Sequence, residues 1–426
     1  MDTTANYANE VSRHAKFNFT VNLLDVSFFM FGYSFMSPAT VLPIYVTHFT
    51  TDPLVISLIS MISTAGFLVP QLFTSNLVER APIKKFYPFN VGFFLERLPV
   101  LLLPFSALFL TSFSPQLALI AFFGLFTWQH FGSGTVMVGW QDMIAKIIPL
   151  QNRGKFFGLS NFLGKFTGLL GAGLVSWLLT QFAFPNGFAI SFGCAAVFIF
   201  ISWLFLGLSR EPRDPTSKPV VSYSEYFKAL PATIRANLNF QRYLLTRIAS
   251  TFGLMSSGFL LVYAIERWTL SDGQAATYNI ALLLGQSAAN LLLGFLADRK
   301  GHKLVLEIGI LANVGVLGMA LLAPSPAWFY TVFILVGATQ AANFISGLSL
   351  PLEFSTPENR PTYIGLANTI PGIAGIFAPL LAGGLAKSLG YPLLFAISAV
   401  VALTAYGMMK WLVKDPRYME PSIQVV

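Results

Sequence analysis

Four charged side chains stand inside runs of otherwise apolar residues: Asp25, Glu96, Arg97 and Lys165. Each lies well past the basic residue that opens its run, Lys16, Lys85 or Lys155. At ~1.5 Å per helical residue they reach roughly 14–18 Å inward, near the middle of a ~30 Å hydrocarbon layer. A buried ion costs several kcal/mol unless it is paired or neutralised, and these four formal charges cancel. The chemistry they could perform is reversible protonation of a carboxylate beside a base, which can couple transport to a proton. The competing role is a static brace. Successive residues of an α-helix point away from each other, so Glu96 and Arg97 are not expected to face one another. Asp25 can pair with Arg97 or with Lys165, leaving Glu96 the remaining base, and both pairings stay open. His130 joins the candidates because imidazole titrates near neutral pH, although a lone histidine in an apolar helix is more often a satisfied structural residue.

The elements that must position these groups are membrane helices. Of 426 residues, 10% are charged and 55% hydrophobic, and mean hydropathy is +0.66. That composition excludes an ordinary soluble enzyme, a nucleic-acid module or a disordered chain. Twelve apolar runs reach spanning length, at 18–48, 54–78, 86–110, 116–140, 156–181, 188–208, 247–265, 274–297, 304–323, 327–350, 362–386 and 391–413. Barrel strands would read as short alternating segments, so helices are expected. The polar start, residues 1–16, does not read as a cleavable signal. With the N-terminus inside, all Lys and Arg fall on the cytoplasmic side except Arg97 and Lys165 within spans and Arg267 and Lys387 outside. This bias predicts both termini in the cytoplasm and accounts for the net charge of +8 without nucleic acid. The hydrophilic stretch 209–246 separates an N-terminal bundle, 1–208, from a C-terminal bundle, 247–426. It is expected to be a cytoplasmic linker whose amphipathic helix lies along the interface. Arg242 and Arg247 are counted with the cytoplasmic charges, and no deep charge is expected in the second half. The single Cys194 allows no internal disulfide, and no metal or other cofactor is expected.

The two halves repeat. Ser75-Asn-Leu-Val-Glu79-Arg80-Ala-Pro82-Ile-Lys84-Lys85 matches Gly294-Phe-Leu-Ala-Asp298-Arg299-Lys-Gly301-His302-Lys303, and the same alignment sets Gly66 on Gly285 and Gln71 on Asn290. Arg153, Gly158 and Asn161 match Arg360, Gly365 and Asn368. Duplicated six-helix halves are an architecture of secondary transporters. These residues resemble the major facilitator superfamily, whose loop signature Gly-x-Leu-Ala-Asp-Arg-x-Gly-Arg-Lys is close to residues 294–303. In the first-half copy Glu79 replaces Asp, and Ser75 and Pro82 replace the two glycines. The resemblance implies an all-α integral membrane protein, with twelve transmembrane helices in two pseudo-symmetric six-helix bundles that rock in alternating access. A carboxylate at a helix end can meet the positive N-terminus of a neighbouring helix. Asp298 is therefore expected near Arg153 and Glu79 near Arg360, with Glu79, Arg80, Asp298 and Arg299 forming a cytoplasmic gate.

Candidate substrate contacts are the amides and phenols of the spans: Gln71, Asn161, Gln286, Asn290, Gln340, Asn343 and Asn368, with Tyr33, Tyr263 and Tyr278. Hydrogen bonding between helices would explain them as well. The expected function is secondary active transport of a small organic solute, with protons as candidate coupling ion. Symport stands ahead of proton-driven drug or metabolite efflux, because span five is glycine-rich but lacks the proline typical of the superfamily's antiporters. A non-transporting membrane sensor is the alternative of another class. No enzyme motif or nucleotide-binding loop is found. The expected partners are a small molecule and the lipid bilayer, the expected state is a monomer, and the expected site is the plasma (inner) membrane.

Overall fold

The computed structural model describes residues 3–213, 231, 234–235, 237–354 and 360–418. Most of the expected linker, including 214–230, lies outside them. All regular structure among the described residues is helical, as a chain in lipid requires when each segment must satisfy its own backbone. The long helices are α1 (Thr3–Ser34), α2 (Pro53–Arg80), α3 (Tyr87–Phe113), α4 (Pro115–Ile147), α5 (Leu150–Gln181), α6 (Asn186–Gly207), α7 (Leu238–Trp268), α8 (Asp272–Lys300), α9 (His302–Leu322), α10 (Trp328–Glu353), α11 (Arg360–Leu389) and α12 (Tyr391–Leu412). Ten are apolar enough over their described residues to cross a bilayer. The other two, α1 and α4, have the length, 32 and 33 residues, but are not among those ten.

The described helices form two compact units. Unit 1 comprises Met1–Thr51, Ile62–Val220 and Leu270–Ile280; unit 2 comprises Asp52–Met61, Val221–Thr269 and Ala281–Val426. In unit 1, α1 packs on α5 and α6, and α3 packs on α4 and α6. An aromatic seam joins α1 to α6, with Phe28 stacked on Phe205 at 5.5 Å and Phe31 against Phe198 at 4.5 Å. Gly171 of α5 lies against Ser34, where a Cβ would overlap the hydroxyl. In unit 2, α9 packs on α10 and α12, and α7 packs on α11 and α12. Its core includes Phe240, Tyr243, Leu306, Leu350, Tyr363 and Met409.

Helix α7 starts earlier than its hydropathy suggests. Asn237 caps it, its side chain accepting the Phe240 N–H at 3.0 Å, and Phe240 and Tyr243 are fully buried. The first turns are held by packing and a cap rather than by apolar composition. Arg242 and Arg247 therefore both belong to α7, which begins ahead of the expected span boundary at 247. Helix α3 contains three π-helical turns, among them Phe93–Arg97. Pro99 and Pro104 lack the N–H that would close ordinary turns onto Leu95 and Val100.

Each unit repeats the same contacts. Gly66 of α2 meets the backbone of α4 at His130 and Phe131, and Gly134 returns the contact. Gly285 of α8 and Gly337 of α10 do the same in unit 2, where added Cβ atoms would overlap backbone. The side chain of Asn18 bonds both backbone groups of Arg210 at 2.8 Å, and Asn239 bonds both of Lys414 at 2.8 Å. The chain leaving the last helix of each repeat is thus tied to the first.

Candidate functional site

Asp25, Glu96 and Arg97 are gathered in the interior of unit 1, and all three are buried. Asp25 of α1 accepts a hydrogen bond from Ser202 Oγ of α6 at 2.6 Å and one from Trp140 Nε1 of α4 at 3.4 Å. Glu96 accepts from Ser133 Oγ of α4 at 2.5 Å, and Ser133 in turn accepts from Gln129 at 3.0 Å. Arg97 forms an ion pair with Glu96, contrary to the expectation that they would not face each other. They share a π turn, and two long side chains can bend to one spot from it. The guanidinium also acts electrostatically on Asp25 and lies 5.7 Å from the centre of the Phe29 ring. Its Nε is enclosed without an acceptor among the described residues. Two carboxylates around one guanidinium leave one negative charge, which a single proton would remove. Lys165, on α5, is half-buried.

His130 and Tyr33, singled out separately in the sequence, are brought together. The Tyr33 hydroxyl lies 3.4 Å from His130 Nε2, and His130 Nδ1 lies 3.2 Å from the Phe126 carbonyl. A carbonyl only accepts, so Nδ1 carries the hydrogen and Nε2 accepts from tyrosine. Gln71 and Asn161 donate to carbonyls of their own helices, Phe67 and Phe157. Tyr263 is buried, accepts from Arg267, and packs on Phe395 at 5.2 Å. Tyr278 is buried, Gln286 and Asn290 are half-buried, and Gln340 and Asn368 are exposed. Of the expected gate, the side chains of Glu79, Arg80, Arg153, Asp298 and Arg360 lie outside the described residues. Arg299 is exposed and covers the Phe295 ring at 4.1 Å.

Two groups escaped the sequence reading. The first is Arg247, which donates from Nη1 to Asn343 Oδ1 of α10 at 2.6 Å. The second half therefore does hold an interior charge, contrary to expectation; the cap at Asn237 was the sequence signal for it. The second group is a pair of anchors at Glu211-Pro212-Arg213 and Asp415-Pro416-Arg417, an unnoticed repeat. Glu211 accepts from the backbone N–H groups of Lys84 and Lys85 at 2.8 and 2.7 Å and from Lys146 Nζ at 2.9 Å. Arg417 donates to Glu353 at 3.1 Å and to the Ala297 carbonyl at 3.0 Å. Burial holds the Lys85 ammonium below the usual lysine range, partly offset by the Glu211 charge.

Among the described residues no three His, Cys, Asp or Glu side chains gather as a metal site would require. A groove of ≈ 550 Å³ along α12 between Val400 and Leu412 is apolar and contains none of the candidates.

The family model of the Major Facilitator Superfamily matches residues 24–265 and again 243–425. The chain belongs to the major facilitator superfamily. It is a multi-pass integral membrane protein of the superfamily's transporter fold. Among solved superfamily structures, a mutant of the nucleoside transporter NupG superposes with a TM-score of 0.73 at 13% identity, covering 93% of this chain and 100% of that one. A D-xylose-proton symporter superposes at 0.72 and 13% identity, covering 94% and 98%. Identities this low establish the fold alone. A curated superfamily relative, the synaptic vesicle 2-related protein of Bos taurus, is 27% identical over 151 residues. That match spans 35% of this chain and 27% of the relative.

Proposed function

We propose that the protein is a secondary active transporter that moves a small organic solute by alternating access, with proton symport as its coupling. The observation that carries the reading is the enclosed group Asp25, Glu96 and Arg97, in which four helices surround two carboxylates and one base. In this proposal one proton neutralises the group and lets it change conformation at low cost. Glu79 and Arg80, and Asp298 with Arg299, close the cytoplasmic side against Arg360 and Arg153. Lys165, His130 and Tyr33 line the same unit as secondary proton or solute contacts. Both termini are cytoplasmic, the membrane is the plasma (inner) membrane, and the working unit is a monomer. The neighbouring xylose-proton symporter agrees with symport, while its sugar is not carried over.

Proteoliposomes with imposed pH gradients test this. Symport requires solute uptake along with inward proton movement. Uptake driven by the opposite gradient identifies efflux exchange instead. Substrate binding without counterflow identifies a sensor and sinks the transport reading.

A further inference from the structure

We infer that Arg247 and Asn343 of unit 2 form an anion-binding site that takes the carboxylate of a small organic solute. This names the substrate class of the transporter proposed above and rests on that reading. Asn239 marks one level of unit 2 by its bonds to Lys414, as Asn18 marks a level of unit 1 by its bonds to Arg210. Arg247 lies about two turns beyond Asn239, the depth of Asp25 beyond Asn18, well inside the span. Unlike Asp25, it faces no opposite charge among the described residues. The described carboxylates of its unit are engaged elsewhere: Asp52 with Lys387, Glu266 with Tyr391, Glu307 with Lys303, Glu353 with Arg417 and Asp415 with the Arg417 N–H.

The geometry leaves one edge of the guanidinium without an acceptor among the described residues. Nη1 is taken by Asn343 Oδ1, and Asn343 Nδ2 is fixed on the Thr339 carbonyl at 3.0 Å, so the amide oxygen is aimed at the arginine. Nε is enclosed and has no acceptor among the described residues. Nε and Nη2 form the side fork of the guanidinium, whose spacing matches the two oxygens of a carboxylate. Beside Nη2 stands Gly347, where even a Cβ would come within 3.3 Å. Helix α7 packs on α11 and α12, and α10 on α9 and α11. A carboxylate brought onto the unpaired fork would supply the missing counter-charge.

The test uses the full chain in a neutral detergent free of phospholipid. Acetate, lactate, pyruvate and benzoate, each paired with its primary amide, and inorganic phosphate are titrated by thermal shift and calorimetry. At least one acid should stabilise the protein where its amide does not. Arg247→Lys keeps the charge but loses the fork, and should weaken binding roughly tenfold or more, the size of one charge-assisted hydrogen bond. Asn343→Ala leaves the arginine in place and should weaken binding less, which keeps the test usable if Arg247 variants do not fold. The proposal is overturned if no acid outperforms its amide, or if Arg247→Lys binds as the parent does. A response to phosphatidylglycerol or inorganic phosphate alone, lost in Arg247→Lys, assigns the site to a phosphate and also overturns it. Counterflow separates this from the underlying reading. Transport of a neutral solute unaffected by Arg247→Lys ends the site and leaves the transporter; Arg247-dependent acid binding without counterflow does the reverse.

Discussion

At the scale of single residues, the interior carboxylates are held by hydroxyls and an indole as well as by the Glu96–Arg97 ion pair. Asp25 takes one hydrogen bond from Ser202 and one from Trp140. Asp25→Asn removes the titrating group and leaves an isosteric amide. It is expected to abolish proton-driven accumulation while leaving counterflow in proteoliposomes; loss of folding instead would make Asp25 a brace. Ser202→Ala strands a buried carboxylate oxygen and should cost about 1–3 kcal/mol, read as a lower thermal midpoint. Asp52 behaves differently because it is exposed. The hydrogen bond from Lys387 at 2.6 Å, helped by the Leu54 N–H, holds its carboxyl below the usual carboxylate range. A depressed carboxylate contributes stability above its unfolded pKa, and that contribution fades as pH falls through the folded value. The stability difference between the parent and Asp52→Asn should therefore be flat above roughly pH 5 and disappear only below about pH 4. A difference that grows on acidification would contradict the assignment.

At the scale of elements, the chain leaving the last helix of each repeat is fastened by a polar anchor, buried in the first repeat and more exposed in the second. Glu211 receives two backbone N–H groups and the Lys146 ammonium. Glu211→Ala leaves all three without that acceptor, so a loss of about 3 kcal/mol is expected, measured as thermal unfolding in detergent. Glu211→Gln keeps an oxygen and should lose less. The close crossing of α8 and α10 through Gly285 and Gly337 leaves no room for side chains. Gly337→Leu must push the helices apart and is expected to abolish monodisperse expression, whereas Gly294→Leu, with open space around it, should be tolerated. The glycine pairing of Gly66 with Gly285 was legible from the repeat. Their contacts with Gly134 and Gly337 were not, because a glycine says only that close approach is possible, not what approaches.

At the scale of the whole molecule, the compact units do not coincide with the two halves of the sequence. Unit 1 takes Leu270–Ile280 from the second half, and unit 2 takes Asp52–Met61 from the first. Within unit 1, His48 stacks on Phe184 at 4.1 Å and meets Asp272 at 2.7 Å. A fragment 1–220 lacks Asp272 and the start of α8, so expressed alone it should aggregate; co-expression with 221–426 should restore a monodisperse complex by size exclusion. A fragment 1–220 that is monodisperse and folded by itself would refute this. The sequence by itself determined membrane residence, helicity and duplication. These follow from local facts: a run of apolar residues must cover its own backbone in lipid, and duplicated loops keep their residue types and spacing. Only the tertiary structure decided which side chain each interior charge meets, where α7 begins and that Arg247 faces no counter-charge among the described residues. Those outcomes depend on packing between segments distant along the chain, where a cap, a π turn or a missing Cβ moves a charged group into or out of reach.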